Sequence, residues 1–171
     1  PYVFMLGPCW YMLASCTPKP TTLNPEIAQR MHAIGDIYNT GIVKSLTGLA
    51  SSLDGVHWQW EGFVITPPES GWDAYCTRIG ALIYRPPIFT GFYDGSASVE
   101  GNYEERTGLA VSMDLRSWRR VSIDGPMLTS PYASGALRYI DVIEVNGALY
   151  YYYEYAREDG SHELRVNRVR L

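Results

Sequence analysis

Gly48-Leu49-Ala50-Ser51-Ser52-Leu53-Asp54-Gly55-Val56-His57-Trp58 returns sixty positions later as Gly108-Leu109-Ala110-Val111-Ser112-Met113-Asp114-Leu115-Arg116-Ser117-Trp118. Both copies obey G-L-A-x-S-x-D-x-x-x-W. Each predicts a strand over Leu-Ala-x-Ser, a turn opened by Asp, and a Trp that starts the next strand. Asp opens such turns because its carboxylate accepts hydrogen bonds from backbone N–H groups just downstream, and the Trp then packs beneath the corner. Matched positions at a fixed offset mark a recurring supersecondary unit. Repetition in equivalent turns assigns Asp54 and Asp114 to folding rather than to a single site.

Strands extend outward from the two copies. Pro1–Leu6, Trp10–Ser15 and Ile79–Tyr84 alternate or run apolar, and Ile88–Tyr93 follows Pro86-Pro87, which marks a connection. Tyr139–Val145 runs into Asn146-Gly147, a strong hairpin signal, and then into Ala148–Tyr155. A third unit therefore begins near Ala136 without a copy of the repeated turn. With about four strands per unit, the chain predicts an all-β fold of about three β-propeller blades, over residues 1–70, 71–130 and 131–171. One segment departs from this pattern. Asn24 to Gly35 carries a cap residue, Pro25 at the first helical position, Glu26 in the first turn and a closing Gly. It predicts a short helical insertion over about 24–35, with Ile27, Met31 and Ile34 on one face.

The composition narrows the function. Fourteen Lys+Arg against 18 Asp+Glu leave a net charge of −4 with no basic block, which argues against nucleic acid or an anionic membrane as partner. No apolar run approaches the ~20 residues of a membrane span. The apolar start lacks a basic segment and is broken by Gly7-Pro8, so it does not read as a signal peptide. Both ends fall in strand-like sequence, which predicts a piece of a longer protein. Cys9, Cys16 and Cys76 are odd in number and form no C-x-x-C, and His32, His57 and His162 are far apart, so neither a disulfide framework nor a metal site is expected. No phosphate-binding glycine loop and no G-x-S-x-G elbow occurs; no cofactor is expected. Fourteen Tyr and 5 Trp suit both sheets and sugar-binding surfaces.

The turns Ser52-x-Asp54-Gly55-x-x-Trp58 and Ser112-x-Asp114-Leu115-x-x-Trp118 resemble the blade turn of the five-bladed β-propeller glycoside hydrolases, the fructosidase- and arabinanase-like enzymes of families 32 and 43. Phe92-Tyr93-Asp94-Gly95, Ser134–Tyr139 and the Tyr-rich strand before Glu154 are similar to strands of that group, and Pro1-Tyr2-Val3-Phe4 resembles the continuation of its Asp-Pro-hydrophobic innermost strand. The resemblance implies a partial five-bladed ring of four-stranded blades. It implies a carbohydrate partner and cleavage of glycosidic bonds by paired carboxylates at a central funnel lined by the innermost strands. A sialidase-like propeller is one alternative, although the repeated turn is one residue shorter than an Asp-box. A non-catalytic carbohydrate-binding propeller is another.

On that basis the candidate catalytic carboxylates are Asp73, Glu105 and Glu154. Asp73 lies among Trp72 and Tyr75, with Arg78 on the same expected inner strand; it serves equally as the Asp of a loop-to-strand turn. Glu104 and Glu105 are adjacent on a strand, so at most one faces a funnel, and a solvated Glu–Arg pair is the alternative for both. Glu154 follows four tyrosines and pairs equally with Arg157. Trp72, Arg78, Tyr93, Arg138 and Asp141 are the candidate substrate-binding residues. Arg138 is expected to grip sugar hydroxyls or hold a carboxylate ionised. Asp141 must be paired if it is buried, and Asp94 reads as a turn former closing its strand.

Overall fold

The computed structural model describes residues 1–18, 20, 24–34 and 37–171. Gly35, expected to end the helix, and the side chain of Ile34 lie outside the described residues. The chain forms three antiparallel meanders. The first is β1 (Tyr2–Leu6), β2 (Cys9–Cys16), β3 (Leu46–Ser52) and β4 (Gln59–Ile65), hydrogen-bonded in chain order. The second is β5 (Cys76–Arg85), β6 (Ile88–Ser96), β7 (Arg106–Ser112) and β8 (Trp118–Arg120). The third is β9 (Leu137–Val145), β10 (Ala148–Ala156) and β11 (His162–Arg170). Asn146 and Gly147 take φ of 50° and 71°, the paired left-handed geometry that an Asn-Gly hairpin uses. Between β2 and β3 sits α1 (Pro25–Ile34), whose first turn is capped by Asn24 Oδ1 accepting from the backbone N–H of Glu26 and Ile27 at 2.7 and 3.1 Å.

The repeated motif builds two matching corners. Ser52 Oγ accepts from Gly55 N at 2.9 Å, and Asp54 Oδ1 accepts from the backbone N–H of Val56 and His57 at 2.9 and 2.8 Å. In the second copy Ser112 Oγ accepts from Leu115 N at 2.9 Å, and Asp114 Oδ1 accepts from Arg116 and Ser117 at 2.9 and 2.7 Å. Trp58 and Trp118 each return an indole N–H to a turn carbonyl, of Gly55 at 3.2 Å and of Leu115 at 2.8 Å. These donors hold the Asp54 and Asp114 carboxyls below their ordinary range, His57 leading for Asp54 and the Ser117 backbone for Asp114. The fourth turn position is left-handed in both copies, at Gly55 and, less comfortably, at Leu115. Leu115 is buried in the core, which offsets the backbone cost of a side chain there.

The repeat reaches one residue further than the motif. Thr47 Oγ1 donates to Thr77 O at 2.8 Å, and Thr107 Oγ1 donates to Leu137 O at 2.7 Å. Each bond runs from the third strand of one meander to the first strand of the next. Parallel pairings accompany both, Ser45 with Cys76 and Arg106 with Leu137. The meanders are thus stitched along one line through their starts, and their faces stack. Leu13, Leu49 and Ile65 meet Ile79, Phe89 and Tyr93 in one core cluster, while Ala81 and Phe92 meet Leu137, Ile140, Val142 and Leu149 in the other. Adjacent residues of β6 serve opposite faces, Phe92 toward the third meander and Tyr93 toward the first, as strand alternation requires. Three sheets fanned face to face in this way are propeller blades.

Candidate active site

The innermost strands β1, β5 and β9 converge on a hollow of about 480 Å³. Its wall comprises Pro1, Tyr2 and Val3 from β1, Arg78, Ile79 and Gly80 from β5, and Tyr139, Ile140 and Asp141 from β9, with Leu13, Ser15 and Asp94 from the second strands behind them. Apolar carbon, two phenol rings, two carboxylates and one guanidinium therefore share one concave surface.

A charged cluster underlies this wall. The Glu105 side chain has no exposed surface; it accepts from Arg78 Nη2 and, at 3.5 Å, from Arg138 Nη1. Arg138 also donates to Glu154 Oε2 at 3.0 Å. Arg78 stands 4.0 Å from Asp94, whose Oδ1 accepts the backbone N–H of Tyr139 at 2.9 Å. Burial pushes the Asp94 carboxyl up to about 7 and the neighbouring Glu105 adds to this, against the pull of Arg78, Tyr139 N–H and Arg138. Burial also raises the Tyr2 and Tyr139 phenols, with Asp141 assisting for Tyr2 and Glu105 for Tyr139. The wall thus offers a carboxyl that carries a proton near neutrality, neutral phenols, and the exposed side chain of Asp141. Among the described residues no group of His, Cys, Asp and Glu could hold a metal ion.

This architecture recurs in solved structures. A family 117 glycoside hydrolase from Zobellia galactanivorans superposes with a TM-score of 0.70 at 15% identity, over 98% of this chain and 50% of its own. The fold is that of the propeller glycoside hydrolases. The Bombyx mori family 32 β-fructofuranosidase matches with a TM-score of 0.61 at 18% identity, over 99% of this chain and 33% of its own. Sucrose-6-phosphate hydrolase of Lactobacillus gasseri matches at 0.59 and 13%, over 95% and 29%. The chain thus spans half or less of the length of each of these three proteins. No family model and no curated protein matches the sequence. No helix among the described residues is long and apolar enough to cross a membrane.

Within this propeller glycoside hydrolase fold, Arg78 and Asp141 line the hollow, and Arg138, Glu105 and Glu154 form the cluster beside it. Asp141 is exposed, so it needs no buried partner. Trp72, Asp73 and Tyr93 lie elsewhere. β5 begins at Cys76, so Asp73 precedes the inner strand that it was expected to share with Arg78. Its buried carboxylate accepts from Arg120 Nη1 at 2.8 and 2.6 Å and from Tyr93 OH at 2.8 Å. Trp72 stacks on Tyr93 with ring centroids 5.6 Å apart and donates Nε1–H to Ser122 O at 2.9 Å. These three residues fasten the second blade to its own outer strand. The expected pairings also change. Glu154 takes Arg138 and leaves Arg157 to Glu163, while Arg106 donates to Ser134 O rather than to an adjacent Glu. Glu104 and Glu105 do diverge, Glu104 toward Ser134 and His162 and Glu105 into the cluster.

Two residues of the site escaped sequence reasoning. Asp94 reads as a turn former, yet β6 continues to Ser96 and carries it to the wall. Tyr139 reads as one strand residue among many. Its φ of 55° re-aims it, and no local signal announces that.

Proposed function

We propose that the hollow binds a sugar and that the intact protein hydrolyses a glycosidic bond there. The convergence of the three inner strands on a concave wall bearing Asp94, Asp141, Arg78 and two phenols carries this reading. Sugar recognition needs hydrogen-bonding groups for hydroxyls beside apolar surface for ring carbons. Glycoside hydrolysis needs one carboxyl that holds a proton and a second that does not. Asp94 supplies the first because burial raises it, and Asp141 is the other acid that lines the hollow. Glu105 and Glu154 act one step removed, fixing the guanidiniums of Arg78 and Arg138. Asp73, sealed against Arg120, belongs to the framework.

Turnover of aryl arabinosides, xylosides and fructosides by the intact protein tests this. Wild type is expected to turn over at least one of them, and Asp94→Asn and Asp141→Asn each to lower kcat by about a hundredfold or more, while Asp73→Asn keeps the wild-type pH profile. Activity that survives both hollow substitutions sinks the assignment. A second reading, sugar binding without cleavage, is favoured by the engagement of Glu105 and Glu154 with arginines. Saturable binding with no turnover of any substrate would select it.

A further inference from the structure

Tyr139 has a geometry that strand formation does not explain. It is the third residue of β9, and its φ of 55° lies in the left-handed region that bulky side chains avoid. The distortion coincides with a break in the β9–β10 ladder, which pairs Arg138 with Glu154 and resumes at Asp141 with Tyr152. A bulge of this kind re-aims a side chain. Two contacts hold the result. Tyr139 N donates to Asp94 at 2.9 Å, and the Arg138 guanidinium lies 4.7 Å from the ring centroid. Arg138 is itself fixed by Glu154 and Glu105. Despite this anchoring the residue keeps 41% of its surface exposed and lines the hollow. A strained, externally braced aromatic presented to a cavity is a pre-organised contact surface.

The charge around it limits what the surface takes. Arg78 and Arg138 face Glu105 and Glu154, so both guanidiniums are already matched by carboxylates, and among the described side chains that line the hollow no further arginine or lysine is left for an acidic ligand. We propose that Tyr139 is the stacking platform of the hollow and that it receives one ring of an uncharged sugar. This rests on the sugar-binding reading above and adds the platform residue and the ligand's charge class. A furanose or pyranose lays its C–H face on the phenol ring, and its hydroxyls reach Asp94, Asp141 and Arg78.

Calorimetric titration of the intact protein with arabinotriose, xylotriose, kestose and trigalacturonate tests the proposal, alongside Tyr139→Phe and Tyr139→Gly. At least one neutral trisaccharide is expected to bind, and trigalacturonate to bind more weakly than it. Tyr139→Phe should stay within about threefold of wild type, while Tyr139→Gly weakens binding by about tenfold or more. Glycine accepts the left-handed backbone, so the melting temperature of that variant should hold or rise as binding falls. A residue serving only the fold would lose stability and leave affinity alone. Unchanged affinity in a folded Tyr139→Gly overturns the platform while wild-type binding upholds the sugar-binding reading. Tighter binding of trigalacturonate than of any neutral sugar overturns the charge class. Wild-type binding of none of the four overturns both the platform and the reading beneath it.

Discussion

The second blade supplies the carboxylates of two buried carboxylate–guanidinium assemblies, and they differ in what lies next to them. Asp73 meets Arg120 and Tyr93 at the junction of the blade with its outermost strand, with Trp72 closing over Tyr93. Glu105 meets Arg78 and Arg138 at the inner strands, with the hollow on the other side of Arg78. The chemistry is alike; the surroundings are not. A carboxylate walled in by aromatics and one arginine has no route to a ligand, so its charge serves cohesion. A carboxylate that holds two arginines behind a cavity wall sets the position of groups that a ligand can touch. Burial of an acid therefore does not identify a site; the neighbouring space does.

Substitutions sharpen this contrast, and the largest effect is expected at the inner assembly. Glu105→Gln leaves two largely buried guanidiniums facing a neutral amide, and urea unfolding should show a loss of about 3–5 kcal/mol, the range for breaking a buried ion pair. A loss under about 1 kcal/mol, as for an exposed pair, would place Glu105 in the class of surface charges.

Asp94 yields a pH signature that Asp73 does not. Folded, its carboxyl keeps a proton up to about 7; unfolded, it ionises in the usual carboxylate range. Between those two points the folded state binds the extra proton, so its stability falls as pH rises through that window and levels above about 7. Asp94→Asn removes this decline. The melting temperature of the variant relative to wild type should climb from pH 4 to 7, approaching an advantage bounded by about 4 kcal/mol. Arg78, Arg138 and Glu105 face the same group, and the comparison at each pH isolates Asp94 from them. A flat difference across the window would contradict a proton held on Asp94.

Asp73→Asn is expected to be the mildest of the three. The amide oxygen still accepts from Tyr93, and Arg120 retains access to water, so the loss should be about 1–3 kcal/mol in the same unfolding assay. Its effect on sugar affinity should be nil. A change in affinity larger than in stability would move Asp73 from framework to site.

Much of the framework was legible because its causes are local. The Asp turns, the Asn146-Gly147 hairpin and the Asn24 cap each depend on side chains within a few residues of the backbone they satisfy. Even the inter-blade stitch from Thr47 and Thr107 belongs to the repeat, one residue ahead of the recognised motif. The site was half legible. Arg78, Arg138, Asp141, Glu105 and Glu154 were singled out as candidate site residues, and β5, β9, β10 and the segment before β7 bring them together. What failed was direction. Tyr93-Asp94-Gly95 resembles a turn, but Gly95 extends the strand by making room for Trp72, whose ring atom would lie 2.4 Å from a Cβ at that position. Asp73 has the aromatic neighbours expected of a catalytic acid, yet Arg120, 47 residues away, decides which way it faces. Such choices are made by tertiary contacts and leave no periodicity in the sequence.

Amide chemical-shift mapping of the intact protein with arabinotriose, xylotriose or kestose tests the central claim most directly. The account predicts perturbations concentrated at Tyr2 and Val3, Arg78 to Gly80 and Tyr139 to Asp141, where the three inner strands meet. Perturbations gathered instead around Trp72, Asp73 and Tyr93, or on the outer corners at Asp54 and Asp114, would contradict it.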